Sequence, residues 1–434
     1  MKYDRPPFPP PRRSARFSSS SRSLAGLPLL ALALTGFVGL ATTAPSCAHS
    51  DESTIVLGGR PDDGASLGTD ASPGGFGEGL DADPATCRLA NGIDDDGDGY
   101  TEAEGDCDDC RASRNPGAYD YPGNGIDEDC SGRADDELLD CDTGAPLDST
   151  DPFAAVQALG LCRTTTEEAR GAEKTWGVIS ARYVKPDGTP ETDPLSHGIS
   201  PTFGVNKPQE GASMLILSTG TARAPDMPGY RSIRGYEKGY TSGAPSGYPK
   251  ESPSCPGIKT GRPHDGAGLE IVVRVPTNVR SLHVDQNFFT LEFPGYVCTH
   301  FNDFFVVDME PRVPSYPDGN IAFDSAGNPI SVNNALLQAC QPGKLAGRDY
   351  ACPLGTDSLK GTGFDVVEDE SSPAPHAATG WLMTSAPVQP GATIRLRFAI
   401  WDSSDGRLDS TVLVDRFGWS ERENAGTKPY EGPN

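Results

Sequence analysis

The sequence predicts a mainly β protein: an antiparallel β-sandwich or jelly-roll-like domain, preceded by a small loop module stapled by disulfides and metal. Three observations lead there. From Trp176 onward the chain is a succession of short β-branched and aromatic runs. Glycine (51) and proline (40) both exceed average usage, which favours a turn-rich architecture over a helical bundle. Residues 86–150 are crowded with Asp, Cys and Gly but hold few large apolar side chains, so they cannot bury a core of their own.

In chain order, residues 1–47 have the shape of an export signal. Arg12, Arg13, Arg16 and Arg22 precede an apolar run from Leu24 to Ala44. Ala44-Pro45-Ser46-Cys47 is similar to the end of a bacterial lipoprotein signal, although it lacks the preferred Leu. Cys47 is therefore a lipidation candidate; cleavage after Ala44 and an uncleaved anchor are the alternatives. Residues 48–85, rich in Gly, Asp, Ser and Pro, read as a flexible linker.

The module follows at 86–150. The formal net charge of the chain is −25, and residues 81–151 hold 22 Asp/Glu against four Lys/Arg. Such a balance excludes nucleic acid as a partner, since phosphates need Lys and Arg opposite them. It suits cation binding. NGIDDDGDG begins at Asn91, and NGIDEDCSG begins 33 positions later at Asn124, with six of nine residues identical. Asp94, Asp96 and Asp98 stand at alternate positions, followed by Gly99 and Tyr100, like the start of an EF-hand loop: three carboxylates, a turn glycine, then a backbone carbonyl. Position twelve is Gly105 rather than Glu, so the loop is not an intact EF-hand; Glu104 and Asp106 flank that position. In the second copy Asp127, Asp129 and Ser131 take the same offsets with Asp135 in reach, and Asp108 and Asp109 lie between the copies. No histidine occurs from residue 50 to 196, so the ligands are hard oxygens and the expected cofactor is Ca²⁺.

Besides Cys47, ten cysteines remain: Cys87, Cys107, Cys110, Cys130, Cys141, Cys162, Cys255, Cys298, Cys340 and Cys352. That even number permits five disulfides in an oxidising compartment. Cys107 and Cys110 form a C-x-x-C pair, and with Cys87 and Cys130 a four-thiolate zinc site is the alternative. The stretch from Asn91 to Gly132, with Gly105-Asp106-Cys107-Asp108-Asp109, Asn115-Pro116-Gly117-Ala118 and Asn124-Gly125-Ile126-Asp127, resembles the MopE-like metal-binding motif of bacterial surface proteins. The family label implies copper; the residues themselves argue for calcium.

Residues 151–171 read as a short helical connector, with Asp151 as N-cap and Pro152 at the first helical position. The β domain is expected over 172–422. Its strands include 213–219, 269–275, 303–309 and 393–401, with 411–415 as partner of the last, and residues 423–434 form a tail. In 393–401, Ile394, Leu396, Phe398 and Ile400 share one face and Arg395 and Arg397 the other. The blocks 287–305, 320–334 and 396–417, with 197–204 and 215–223 upstream, resemble the bacterial choice-of-anchor L domain. That resemblance implies a surface or secreted protein without established enzymatic activity.

Glu292, Asn302, Asp303, Asp402, Asp405 and Asp409 fall at the ends of apolar strands. They are candidates for a second Ca²⁺ site, or for turn capping. Glu292 with Asp303 or Asp402 also has the make-up of a glycosidase pair, although acidic residues are abundant enough to offer many such pairs by chance. No P-loop, dinucleotide fingerprint or zincin motif occurs. The reading is a non-enzymatic, exported envelope or surface protein. It would be held to the membrane by lipid alone and bind an unknown glycan or protein ligand as adhesin or matrix component. A secreted hydrolase of envelope polysaccharide is the alternative.

Overall fold

Apolar, mostly buried strands build two large antiparallel sheets and a separate two-stranded one between residues 177 and 429. The computed structural model describes Cys87 and residues 92–430, except 139, 235, 335 and 367–374. The export signal with Cys47, the linker 48–85 and the last four residues of the tail lie outside the described residues. Among the described residues no helix is long and apolar enough to cross a membrane.

The strands are β1 (Gly177–Val184), β2 (His197–Ser200), β3 (Met214–Ser218), β4 (Pro263–Arg274), β5 (Ser281–Thr290), β6 (Phe304–Glu310), β7 (Ile330–Ser331), β8 (Gly343–Leu345), β9 (Arg348–Tyr350), β10 (Ala377–Ala378), β11 (Leu382–Pro387), β12 (Thr393–Ser403), β13 (Ser410–Ser420) and β14 (Gly426–Pro429). One sheet has the order β1-β4-β12-β6-β7; the other runs β14-β11-β5-β13-β3-β2, with β10 also on β5. Leu269, Ile271 and Val273 of β4 and Leu396, Phe398 and Ile400 of β12 meet Val284 and Phe288 of β5 and Val412 and Val414 of β13 in one buried cluster. Alternate residues of both sheets thus share a core, as in a sandwich.

Residues 411–415 were expected to pair with 393–401. They belong instead to the opposite sheet: β12 pairs with β4 and β6, and β13 with β5 and β3. The apolar faces of β12 and β13 look at each other across the core, which the alternation alone does not distinguish from lateral pairing. Part of the expected tail is also a strand, since β14 pairs with β11.

The outer face of the first sheet is held by charge. Glu270 on β4 faces Arg182 of β1 and Arg397 of β12 in register. Its Oε1 accepts from Arg182 Nε (2.8 Å), and its Oε2 from Arg397 Nε (2.8 Å) and Arg395 Nη1 (3.3 Å). Burial alone would push the Glu270 pKa up; hydrogen bonds from Arg182 and Arg397 outweigh it and hold the carboxyl below its ordinary value. The long loop 221–262 covers this sheet farther along: Tyr248 packs on Phe304 and Trp401, and Cys255 is bonded to Cys298.

The helical connector is shorter than its range. Helix α1 covers only Pro152–Ala158, with Asp151 accepting the Phe153 N–H (3.0 Å) and Gly160 leaving it at φ +87. Ala155, Val156 and Ala158 are buried in the core shared by the sheets.

Candidate metal centre

Gly97 and Gly99 adopt φ of +79 and +95, which folds the backbone inward around the first copy. Asp94 accepts the N–H groups of Gly97 (2.7 Å) and Gly99 (3.0 Å). Asp96 accepts from Asp98 N–H (3.2 Å), and Asp98 from Tyr100 N–H (2.9 Å). A 3-10 turn at Glu102–Glu104 then reverses the chain. Asp106 accepts from Asp108 N–H (2.8 Å), and Asp109 from Asp95 N–H (3.3 Å). Two triads result: ligand oxygens of Asp94, Asp96 and Asp109 lie within 4.8 Å of one another, and so do those of Asp96, Asp98 and Asp106.

In four of these acids Oδ1 takes the backbone N–H while Oδ2 is buried without a hydrogen bond: Asp96, Asp98, Asp106 and Asp109. Asp109 is fully buried and Asp106 nearly so. Burial first, then repulsion from neighbouring carboxylates, pushes Asp96 up to about 6, Asp98 to about 8 and Asp106 to about 7. Asp109 is raised as well, again by burial first. Carboxylates this crowded and this dry call for a positive charge.

Other predicted ligands have different work. Asp108 joins neither triad; it pairs with Arg114 (3.0 Å) and Arg111 (3.6 Å). Tyr100, expected to offer its carbonyl, buries its ring and donates its hydroxyl to the Lys174 carbonyl. Asp127 accepts the N–H groups of Ser131 (3.0 Å) and Gly132 (2.9 Å), and Asp135 those of Asn124 (2.9 Å) and Gly125 (3.0 Å). Neither they nor Ser131 enter a triad. The second copy gathers Asp120, Asp129 and Asp136. There Arg163, from the connector, reaches Asp129 (2.7 Å) and Glu137 (3.4 Å). Asp120, Asp136, Glu137 and Arg163 were all missed. The three acids stood in the acidic stretch without a distinguishing spacing, and nothing in the sequence ties Arg163 to them.

All ten cysteines outside Cys47 pair: Cys87–Cys110, Cys107–Cys130, Cys141–Cys162, Cys255–Cys298 and Cys340–Cys352. Cys107 and Cys110 bind different partners, which removes the four-thiolate zinc alternative. The module docks on the turn after β4. Thr277 donates its N–H to the Gly117 carbonyl (3.0 Å) and its hydroxyl to Asn115 Oδ1 (2.7 Å), and Asn278 exchanges hydrogen bonds with the Tyr119 backbone (2.8 and 2.9 Å). Gly117 is required there, since a Cβ would sit 2.4 Å from the Tyr100 hydroxyl and 3.0 Å from Thr277.

The second acidic group lies at the opposite end of β4, where Asp402 pairs with His264. Glu292 accepts from Asp303 N–H (2.9 Å); Asp303 accepts from Ser403 N–H (3.1 Å) and the Ser410 hydroxyl (2.7 Å). These bonds knit the ends of both sheets together. Asp402 and Asp409 make no well-formed hydrogen bond with either oxygen, although Thr219 and Asp303 lie close to Asp402, and the Asn302 amide is likewise buried and unbonded. Asp409 lies against Gly220, and Asp405 is half-buried. Among the described residues no three acids here bring ligand oxygens together as those of the module do. Glu292, Asp303, Asp402 and Asp409 are instead raised well above the usual carboxylate range, by burial first and by one another second.

A pH prediction follows from Asp402. An acid whose pKa is raised by folding holds its proton longer in the folded state. Its contribution to stability is intact below the unfolded pKa of about 3.9 and is lost as pH rises toward the folded value. Asp402→Asn is therefore expected to stabilise the protein by about 1–3 kcal/mol at pH 8 and to give no gain at pH 4. Urea unfolding at the two pH values measures this; an equal effect at both would contradict it.

Residues 106–136 match the family Cu-binding MopE, described as "Putative metal-binding motif". The match covers 31 of the 434 residues and is a likeness of that segment alone. The matched segment includes Asp106, Asp109 and the Asp120–Asp129–Asp136 group but begins after Asp94, Asp96 and Asp98. No curated protein and no solved structure matches the chain. The donors of the module do not suit copper: residues 92–138 hold no His or Met, and their three cysteines, like Cys87, are spent in disulfides.

Proposed function

We propose that the module binds Ca²⁺ and that the protein is an exported cell-envelope or surface component with a binding or structural role. One observation carries the calcium reading: four carboxylates of the first copy each bury an oxygen that accepts no well-formed hydrogen bond from a described residue. Only oxygen ligands are on offer, which Ca²⁺ prefers and Cu²⁺ does not. Bound Ca²⁺ would neutralise the crowded acids and fasten a coreless segment to the sandwich, so its binding energy becomes folding energy. Five disulfides and the signal-like first 47 residues support export. Lipid attachment at Cys47, a choice-of-anchor L sandwich and an adhesin-like role toward glycan or protein complete the reading; the buried pole disfavours the hydrolase.

Equilibrium dialysis of the purified chain against Ca²⁺, Mg²⁺ and Cu²⁺ tests the metal. Calcium retention that equimolar Cu²⁺ leaves undiminished is expected. Displacement by Cu²⁺, or no retention of Ca²⁺, overturns the assignment.

A further inference from the structure

We infer that the first copy holds two divalent cations bridged by the Asp96 carboxylate, and that the second copy holds none because Arg163 supplies its positive charge. The inference rests on the calcium reading above and adds the number and place of the ions. A Ca²⁺ ion with oxygen ligands at about 2.4 Å spans about 4.8 Å from ligand to opposite ligand. The oxygens of Asp94, Asp96 and Asp109 fit within that span, and so do those of Asp96, Asp98 and Asp106. The two triads do not merge into one group of five. A single ion would serve one triad and leave the other charged and dry. Asp96 belongs to both, and a carboxylate has two oxygens, so it can bridge two ions about 3.5–4 Å apart, as in other two-metal sites. Five carboxylates against two divalent ions also come close to neutrality.

Independent support comes from the unbonded oxygens. Asp109 Oδ2 in the first triad and Asp106 Oδ2 in the second are buried without a donor, in side chains that are 0% and 6% exposed. Each triad thus has its own unmet acceptor, besides Asp96 Oδ2 at the junction and Asp98 Oδ2. The second copy gathers its own triad within the same span, and Glu137 beside it buries one unbonded oxygen, but the three acids of that triad are bonded differently. Asp120 accepts from the N–H groups of Glu128 (3.3 Å) and Asp136 (2.6 Å), and Asp136 Oδ1 from the Ser131 hydroxyl (3.2 Å). Asp129 accepts from Ser131 N–H (3.1 Å) and from Arg163 (2.7 Å). None of these three acids has a buried unbonded oxygen. The near-repeat in the sequence therefore has unlike halves: one prepared for ions, the other closed by a guanidinium.

The test is the Ca²⁺ stoichiometry of the intact chain, read by native mass spectrometry and by metal analysis after dialysis. Two ions per chain are expected, with one lost in Asp109→Asn, one lost in Asp106→Asn and both weakened in Asp96→Asn. A single ion in the unmutated protein overturns the inference and leaves the calcium reading standing; no ion overturns both. Three ions, or two that survive all three substitutions, also overturn it, because the ions would then lie elsewhere.

Discussion

Chelation with EDTA is expected to lower the melting temperature of the module by roughly 20 °C, and excess Ca²⁺ to restore it. A ligand at a thousand times its dissociation constant stabilises the folded state by about 4 kcal/mol, and each kcal/mol moves the midpoint by about 4–8 °C in a small unit. The effect should concentrate in residues 92–138. Those residues have no core of their own beyond Tyr100 and Ala118, and their acids bury five unbonded oxygens, four of them in the first copy. The sandwich, with its shared apolar core, should melt at an unchanged temperature. Tyr119 offers a probe, since its ring packs on Trp176 at 5.6 Å and that ring on Trp419 at 6.2 Å. Tryptophan fluorescence should report undocking before the β signal in circular dichroism is lost. A single transition that EDTA does not move would sink the idea.

Glu270→Gln is expected to cost about 3 kcal/mol, the second large effect. Removing one member of a buried ion pair leaves the others uncompensated, typically at 3–5 kcal/mol. The lower end applies because Arg395 keeps Asp308 (3.1 Å) and Glu310 (2.9 Å), and the Arg182 side chain is 56% exposed and can turn to water. Arg397, 11% exposed, is left with the Pro186 carbonyl (3.2 Å). Arg182→Ala is the control: an exposed partner is worth about 1 kcal/mol or less. Comparing the two variants in urea checks the ranking, and equal losses would show that the buried carboxylate is not the hub.

Much of this was legible in the residues. Strands β4, β6, β12 and β13 each contain a run of β-branched or aromatic residues that announces them. Asp94, Asp96 and Asp98 declare a cation loop by their spacing. Strand β5 is harder to see, although it is central to its sheet, because Asp285, Gln286 and Asn287 interrupt its apolar pattern. All three are buried, and two have tertiary partners: Asp285 in Arg416 (2.8 Å) and Gln286, through its Nε2, in Thr384. Such partners are distant in sequence and leave no local trace. The same holds for the site. Asp106 and Asp109 look no different from Asp108 until the chain turns at Glu102–Glu104 and Arg111 and Arg114 claim Asp108. Arg163 sits in a segment that reads as helix, so its role as counter-charge to Asp129 and Glu137 appears only once the connector leaves the helix at Gly160.

The order of the first three disulfides has a mechanical consequence. A pull applied at Cys87 passes through the bond to Cys110, steps back three residues to Cys107, crosses to Cys130, runs eleven residues to Cys141 and crosses again to Cys162. At about 3.5 Å per residue, with the three disulfide spans added, that covalent path can lengthen to roughly 65 Å, where the open chain from 87 to 162 would reach roughly 260 Å. Load therefore arrives almost undamped at the edge of the sandwich, where Arg163 and Thr165 bond the Val178 backbone. Under oxidising conditions the front of the protein behaves as a stiff link, and reducing agent would turn it into a slack one.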